Sequence, residues 1–251
     1  LKGEAEIGLC ASGGNECAQA MGEIMGVKVG EMTRKVALVR CSGYKSVDKE
    51  GNVMGAKMKA VYEGFHDCVA ASKVGGNGPL ACKFGCLGFG SCVTACQFGA
   101  ISIGENGAAI VDPEKCTNCG ACMKACPRKL IVSVPANPKK VHVTCANLEK
   151  GKAAMNVCSV SCIGCGLCEK ECKKDAIHVV NGVAVVDYDK CIGCKLCTKV
   201  CPRDSIIPVA TAEEKEKYKA IKKAQAEKAA AAKKAAEEAA AAAAAEAPKA
   251  E

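Results

Sequence analysis

The sequence predicts an α+β fold in which two small domains of the same design follow one another along the chain. Three observations lead to this expectation: cysteine accounts for 22 of the 251 residues, the cysteines recur in runs of similar spacing, and the segment that joins each pair of runs is typical of a β-hairpin. Large side chains are scarce, with no Trp, 4 Phe and 4 Tyr. Something other than aromatic packing must therefore help to hold the fold together.

Four cysteine runs lie between residues 82 and 201. Three have the spacing C-x2-C-x2-C-x3-C, and the remaining one is stretched to C-x3-C-x5-C-x3-C. In every run an isoleucine follows the last cysteine by five residues, so the similarity extends beyond the cysteines. The runs are therefore copies of one repeated unit. They are Cys82/Cys86/Cys92/Cys96, Cys116/Cys119/Cys122/Cys126, Cys162/Cys165/Cys168/Cys172 and Cys191/Cys194/Cys197/Cys201.

Similar connectors join the runs in pairs. In the first pair, residues 101–103 and 109–112 flank a Gly-rich turn, and in the second pair the strand-like segments flank Asn181-Gly182. An Asn-Gly dipeptide between two such segments favours a tight hairpin turn. We therefore expect two similar domains, at residues 76–136 and 158–210.

The rest of the chain divides into three parts. Residues 1–75 include a small α/β segment, and residues 137–157 form a connector with additional cysteines. Residues 211–251 are dominated by Ala, Lys and Glu, which favour a helix. This tail is either an exposed helix that serves as a spacer or a helix that binds a partner, and its composition leaves both interpretations open.

A cubane 4Fe-4S cluster needs four converging thiolates, and C-x2-C-x2-C lets one tight loop supply three of them. In two-cluster ferredoxins the fourth thiolate comes from the other run of the pair. Structural zinc is the alternative for four cysteines, but it usually takes two separated C-x2-C pairs. The spacing therefore predicts two tandem ferredoxin-like 2×(4Fe-4S) domains with four clusters. The crossed ligand sets are Cys82, Cys86, Cys92 and Cys126; Cys116, Cys119, Cys122 and Cys96; Cys162, Cys165, Cys168 and Cys201; and Cys191, Cys194, Cys197 and Cys172.

Six cysteines lie outside these sets. Two of them, Cys41 and Cys145, end similar strand-like stretches, and Cys68 falls in a segment expected to be a short helix. A fifth cluster held by Cys41, Cys68, Cys145 and Cys158 is one interpretation, and buried free thiols are the other. The remaining two are Cys10 and Cys17.

Several classes of protein are excluded by composition and pattern. The formal net charge is +8, but a 4Fe-4S cluster with its thiolates carries about −2, so four clusters cancel the excess and nucleic-acid binding is not expected. No apolar stretch is long enough to span a bilayer, and no secretory leader suggests an oxidising compartment that would favour disulfides. No dinucleotide-binding fingerprint or P-loop is present, so no catalytic site is expected in this chain.

Once these residues are considered together, residues 5 to 208 resemble a known family. The segments 35–43 and 82–101, and the region from Cys145 through Cys165, are similar to the B subunit of the Rnf complex in its long clostridial form. That complex is a membrane-bound, ion-translocating ferredoxin:NAD oxidoreductase of anaerobic bacteria. The resemblance implies a subunit that relays electrons from reduced ferredoxin through 4Fe-4S clusters to other subunits, which reduce NAD and export Na⁺ or H⁺.

The resemblance also implies a place in the cell and a missing segment. Family members have an amino-terminal membrane helix and then a domain with a further 4Fe-4S cluster, whose fourth ligand matches Cys10. We therefore expect residues 1–75 to begin with a remnant of that domain. The complete protein is expected at the cytoplasmic face of the cell membrane. The alternative is an iron-sulfur subunit of a hydrogenase or formate dehydrogenase, and a zinc-based scaffold is a third possibility.

Overall fold

The computed structural model describes residues 7, 13–30, 33–44, 46–47, 53–137 and 139–208. Cys10 and the tail expected to be helical at 211–251 lie outside the described residues. The chain up to Val209 forms one compact unit. None of the helices in the described ranges is long and apolar enough to cross a membrane.

Short helices and short strands alternate through the described ranges. The helices are α1 Gly14–Met25, α2 Cys68–Lys73, α3 Ser91–Thr94, α4 Ala121–Ala125, α5 Gly151–Val157, α6 Leu167–Glu171 and α7 Leu196–Val200. The strands are β1 Lys35–Val39, β2 Ser46–Val47, β3 Val53–Met54, β4 Ile101–Ile103, β5 Ala109–Val111, β6 Ile131–Pro135, β7 Val141–Val143, β8 Ile177–Val180, β9 Val183–Val186 and β10 Ile206–Pro208.

Each cysteine run folds into the same local structure. A residue with left-handed backbone ends the loop and starts a short helix, which carries the third cysteine of the run. Glycine takes this position in three runs, because it adopts positive φ without a steric penalty, and Lys195 takes it in the fourth. The isoleucine five residues after each run then begins a strand and is buried, with at most 6% of Ile101, Ile131, Ile177 or Ile206 exposed.

Both predicted hairpins are confirmed. Strands β4 and β5 pair antiparallel, as do β8 and β9, in which Val180 is opposite Val183. Asn181 and Gly182 between them both have positive φ, at 51° and 89°. This is the backbone that a two-residue type I′ turn requires.

Two further sheets bring in strands from upstream of the predicted cluster domains. Strand β1 pairs antiparallel with β6, and β7 pairs antiparallel with β10. We call residues 33–137 the first half and residues 139–208 the second half. Each half thus contains an upstream strand, two cysteine runs and a hairpin between them.

Each half has its own hydrophobic core, and cysteine side chains are part of both. Val134 and Leu130 lie in the core of the first half, and Val141 and Ile177 in that of the second. The ring of Tyr188 packs against both cores and forms a 2.6 Å hydrogen bond with Nδ1 of His142. The two halves are therefore in direct contact.

Candidate metal centres

The first cavity of interest combines cysteines from two runs of the first half. It has a volume of about 340 Å³, space open to solvent included, and its walls come from β4, β5 and the loop before α4. Cys116, Cys119 and Cys122 line it together with Cys96, the last cysteine of the other run. The thiols thus meet in the crossed pattern expected from the sequence.

The second half repeats this arrangement at the equivalent place. A cavity of about 370 Å³, again including open space, is lined by Cys191, Cys194 and Cys197 together with Cys172 from the other run. Burial raises the pKa of the Cys197 thiol to about 11, and the thiols of Cys191, Cys194 and Cys172 add to this effect. The four groups are therefore close enough to interact electrostatically.

The other run of the second half lies in one core with its expected fourth partner, because Cys162 and Cys168 are buried there and Cys201 packs against that core. Burial raises the pKa of Cys168 to about 12, with further contributions from the neighbouring thiols of Cys162, Cys201 and Cys165. Thiols with such high pKa values are neutral at pH 7. They must lose their protons when they bind iron, because the thiolate is the ligand.

A third cavity, in the first half, differs from the sequence-based expectation at one position. Its volume is about 360 Å³ with open space included, and Cys86, Cys92 and Cys126 line it as expected. The fourth thiol is that of Cys68 from α2, whereas Cys82 does not line this cavity. Burial raises the pKa of Cys92 to about 12, and the thiols of Cys86, Cys68 and Cys126 contribute.

Hydrogen bonds fix Cys68 at this cavity. Asp67 caps α2 by accepting a hydrogen bond from the Ala70 N–H, and its other oxygen accepts one from the Ser91 hydroxyl at 2.7 Å. The Ser91 oxygen in turn accepts a hydrogen bond from the Cys68 N–H at 2.9 Å. The first turn of α2 is therefore tied to the residue that precedes Cys92, as N-terminal capping would favour.

The sequence contains a signal that Cys68 takes the place of Cys82 at this cavity. The spacing of the cysteines alone did not reveal it. Cys86 and Cys92 have five residues between them, as do Cys162 and Cys168, so the run is regular but has Phe89 where Cys165 stands in the second half. Phe89 packs on Tyr62, with ring centroids 5.1 Å apart, in the segment that leads to Cys68. The run is stretched only when Cys82 is taken as its first member.

Cys82 instead belongs to a different cluster of side chains. It is buried with Cys158, Ala56 and Leu80. Of the four cysteines considered for a fifth site, Cys68 therefore lies elsewhere, at the cavity with Cys86. Cys17 lies in α1 and is half-buried.

Backbone N–H groups point at many of the cysteine sulfurs. The last cysteine of three runs accepts a hydrogen bond from the N–H four residues later, at 3.3 to 3.5 Å. The Ala37 N–H donates to the sulfur of Cys116 at 3.3 Å, so strand β1 also contributes. Such bonds stabilise thiolates and tune the clusters they hold.

The donor sets fit iron-sulfur clusters. Three of the sets consist of four soft sulfur donors around an open volume, with backbone N–H groups nearby. In the described ranges, no three Cys, His, Asp or Glu side chains converge closely enough to hold a single metal ion. Next to Cys116, the buried Oγ1 of Thr117 finds no hydrogen-bond partner among the described residues.

Comparison with protein-family models agrees with this description. Two models described as a 4Fe-4S dicluster domain match residues 155–209 and 183–239, and a 4Fe-4S binding domain matches residues 109–132. The fold and the thiol groups thus define a protein with ferredoxin-type 4Fe-4S domains.

Proteins of similar sequence show which family within this class the chain belongs to. Over 188 residues the chain is 45% identical to the B subunit of the Na⁺-translocating ferredoxin:NAD⁺ oxidoreductase complex of Acetobacterium woodii. Over 186 residues it is 39% identical to the B subunit of the ion-translocating oxidoreductase complex of Methanosarcina acetivorans. It is 41% identical over 179 residues to the B subunit of the proton-translocating ferredoxin:NAD⁺ oxidoreductase complex of Clostridium ljungdahlii. The chain belongs to this family of B subunits.

The similarity covers most of the chain and less of the relatives. The three alignments include 75%, 74% and 71% of this chain, and 54%, 67% and 60% of the respective relatives. The chain therefore spans between half and two thirds of the length of the relatives it matches.

Proposed function

We propose that this chain relays electrons from reduced ferredoxin, through 4Fe-4S clusters, to other subunits of a membrane-bound ferredoxin:NAD oxidoreductase that exports Na⁺ or H⁺. The main support is structural: equivalent cavities in the two halves are lined by four thiols in the crossed pattern of two-cluster ferredoxins. The names of the related B subunits supply the rest of the reaction.

We assign the cluster ligands from the groups of four thiols that the two halves bring together. We assign four clusters, with Cys68 at the first in the place that the spacing gave to Cys82. The sets are Cys68, Cys86, Cys92 and Cys126; Cys96, Cys116, Cys119 and Cys122; Cys162, Cys165, Cys168 and Cys201; and Cys172, Cys191, Cys194 and Cys197.

Exposure suggests where electrons enter and leave. When bound, a 4Fe-4S cluster takes up and releases one electron with little rearrangement of its ligands. The middle cysteines Cys119, Cys165 and Cys194 are exposed, so a partner can approach three of the sites closely. Cys68, at the equivalent position of the remaining site, is buried. That site suits internal relay better than exchange with a partner.

The same proposal implies where the chain acts in the cell and which subunits it contacts. The chain would act at the cytoplasmic face of the membrane, in contact with other subunits, and NAD would be reduced elsewhere in the complex. An iron-sulfur component of a hydrogenase or formate dehydrogenase remains the alternative. It has less support, because the three related proteins above are all named as B subunits of ion-translocating oxidoreductases.

Anaerobic stopped-flow spectroscopy tests the proposal. Reduced ferredoxin is mixed with the iron-loaded chain, and we expect ferredoxin to be reoxidised while the visible absorbance of the chain is bleached. The matched control is the chain loaded with zinc, which should leave ferredoxin reduced. NADH should form only when the remaining subunits are added. An iron-loaded chain that takes no electrons from ferredoxin, or that reduces NAD alone, would contradict the proposal.

A further inference from the structure

The cavity lined by Cys96 and by the run that starts at Cys116 has two polar side chains in its wall besides the thiols. They are Thr117 and Asn118, which lie between the first two cysteines of that run. The other described residues of the wall are apolar or glycine. Few side chains here can therefore form a hydrogen bond with a bound group.

The hydroxyl of Thr117 is buried and unpartnered. Its Oγ1 atom has no hydrogen-bond partner within the described part of the chain, and the same holds for Oδ1 of Asn118. A buried hydroxyl without a partner costs free energy, so its presence in the wall of a binding cavity points to a bound acceptor. Cluster sulfurs are acceptors, and an amide oxygen only accepts. Of the two atoms, the hydroxyl oxygen of Thr117 is the one that can donate.

Neighbouring contacts fix the loop that carries Thr117. The sulfur of Cys116 accepts hydrogen bonds from the Ala37 N–H at 3.3 Å and from the Asn118 N–H at 3.4 Å. The Cys116 N–H in turn donates to the carbonyl oxygen of Asp112 at 3.1 Å. The loop is thus held against the cavity by strand β1 on one side and by its own backbone on the other.

The equivalent loops at the other sites lack this hydroxyl. The position after the first cysteine of the run, where Thr117 stands, is apolar in the runs that start at Cys86, Cys162 and Cys191. A side-chain hydroxyl at this position is therefore particular to one of the four sites. The residues are Leu87, Ile163 and Ile192.

A hydrogen bond donated by Thr117 favours the reduced state of its site. When bound by four thiolates, a 4Fe-4S cluster has a formal charge of about −2 and reaches about −3 by accepting one electron, which reduced ferredoxin supplies. A donor dipole stabilises the more negative state more strongly, and burial strengthens the effect because water does not screen it. The hydroxyl keeps its hydrogen, so no proton is transferred.

We infer that the Thr117 hydroxyl donates a hydrogen bond to a sulfur of the cluster held by Cys96, Cys116, Cys119 and Cys122, and thereby raises the reduction potential of that cluster. The inference rests on the proposed iron-sulfur function and adds a determinant of its energetics. An electron is more stable at this site than it would be with an isoleucine in the same position.

Redox titration of the complete iron-loaded chain, followed by electron paramagnetic resonance spectroscopy, tests this role. Thr117→Val replaces the hydroxyl by a methyl group and should leave the iron content unchanged. At the midpoint potential of the unsubstituted site, the ratio of reduced to oxidised cluster should fall about tenfold, a shift of about 59 mV for one electron. The signal of this cluster is identified as the one that Cys119→Ser alters.

Two further variants separate the hydroxyl from the structure of the loop. Thr117→Ser retains a hydroxyl and should retain the potential. The matched control is Thr198, which also follows a proposed ligand, Cys197, and is buried, but whose hydroxyl donates to the Lys195 carbonyl oxygen at 2.8 Å. Because that hydroxyl is already used by the backbone, Thr198→Val should leave every midpoint potential unchanged.

Ionic strength distinguishes the buried hydroxyl from charged groups. Lys174 and Lys195 are exposed and line the cavity with Cys191, so added salt should screen them and lower the potential of that site. The difference in potential between the unsubstituted chain and Thr117→Val should stay the same, because the hydroxyl is uncharged and buried.

The outcomes separate this inference from the proposed function. An unchanged potential in Thr117→Val, or an equal fall in Thr117→Ser, would overturn the role of the hydroxyl and leave the proposed function intact. If Thr117→Val does not hold its iron, Thr117→Ala provides the same comparison, and an unchanged potential there would also overturn the inference. A chain that binds no iron would contradict both.

Discussion

In the second half of the molecule, Cys165 stands three residues after Cys162 and its side chain is exposed, whereas the matching position in the first half holds Phe89. There a buried cysteine from α2, Cys68, lines the cavity instead. The chain between Cys41 and Cys82 contains 40 residues, and that between Cys145 and Cys158 contains 12. The longer segment carries Cys68, which lines the cavity and is buried.

Around this difference the two halves remain alike in detail. Arg34, just before β1, donates to carbonyl oxygens of the loop that leads to Cys116. Lys140, just before β7, donates to the carbonyl oxygen of Cys191 at 2.7 Å. A repeated unit can therefore line its cavity with a distant cysteine in place of a local one while the rest of its framework is kept. The consequence is that a buried thiol stands where the second half has an exposed one.

The largest effect should follow removal of iron. Cysteines contribute to both hydrophobic cores, and aromatic residues are few, so we expect iron chelation to unfold both halves. The cluster at the Cys68 site should be lost last, because each of the other three sites has an exposed cysteine, Cys119, Cys165 or Cys194. Far-ultraviolet circular dichroism and iron release measure this. An iron-free chain with native-like dichroism would contradict the expectation.

Exchange of the distant ligand for a local one should have the next largest effect. Cys68→Ala should lose about four irons. Adding Phe89→Cys should restore them, because that residue takes the position of Cys165 in the second half. The Phe89→Cys single variant is the control and should keep its iron. No recovery in the double variant would show that the two halves are less alike than their loops suggest.

A smaller effect on the free energy of unfolding is expected from substitutions in the loops that follow Cys116 and Cys191. Asn118 and Gly193 occupy the same position, and both have positive φ, a conformation that Asn tolerates. A Cβ atom at Gly193 would lie 1.9 Å from the Lys139 carbonyl oxygen. Gly193→Asn should therefore reduce the free energy of unfolding by about 1 to 3 kcal/mol.

The reverse change, Asn118→Gly, is the matched control and should cost less than about 1 kcal/mol. Denaturant midpoints followed by visible absorbance compare the two. Equal losses would mean that the approach of Lys139 does not restrict this loop.

The smallest expected effect concerns the residue that starts α7. Lys195 has φ of 61°, whereas glycine holds this left-handed position before α3, α4 and α6. Lys195→Gly should remove strain and stabilise the second half by up to about 1 kcal/mol. Gly120→Lys in the first half should have the opposite effect. If Lys195→Gly instead destabilises the protein, the lysine side chain contributes more to stability than its left-handed backbone costs.

The sequence by itself determined the repeated units, the two hairpins and the crossed meeting of Cys96 and Cys172 with the neighbouring runs. These features depend on short spacings: an Asn-Gly turn and cysteines a few residues apart restrict the backbone wherever they occur. Only the tertiary structure decided that Cys68 replaces Cys82 at the first cavity and that Cys82 lies with Cys158. Those contacts join residues far apart in the chain. They depend on how α2 packs and on how the two halves meet, which no local spacing encodes.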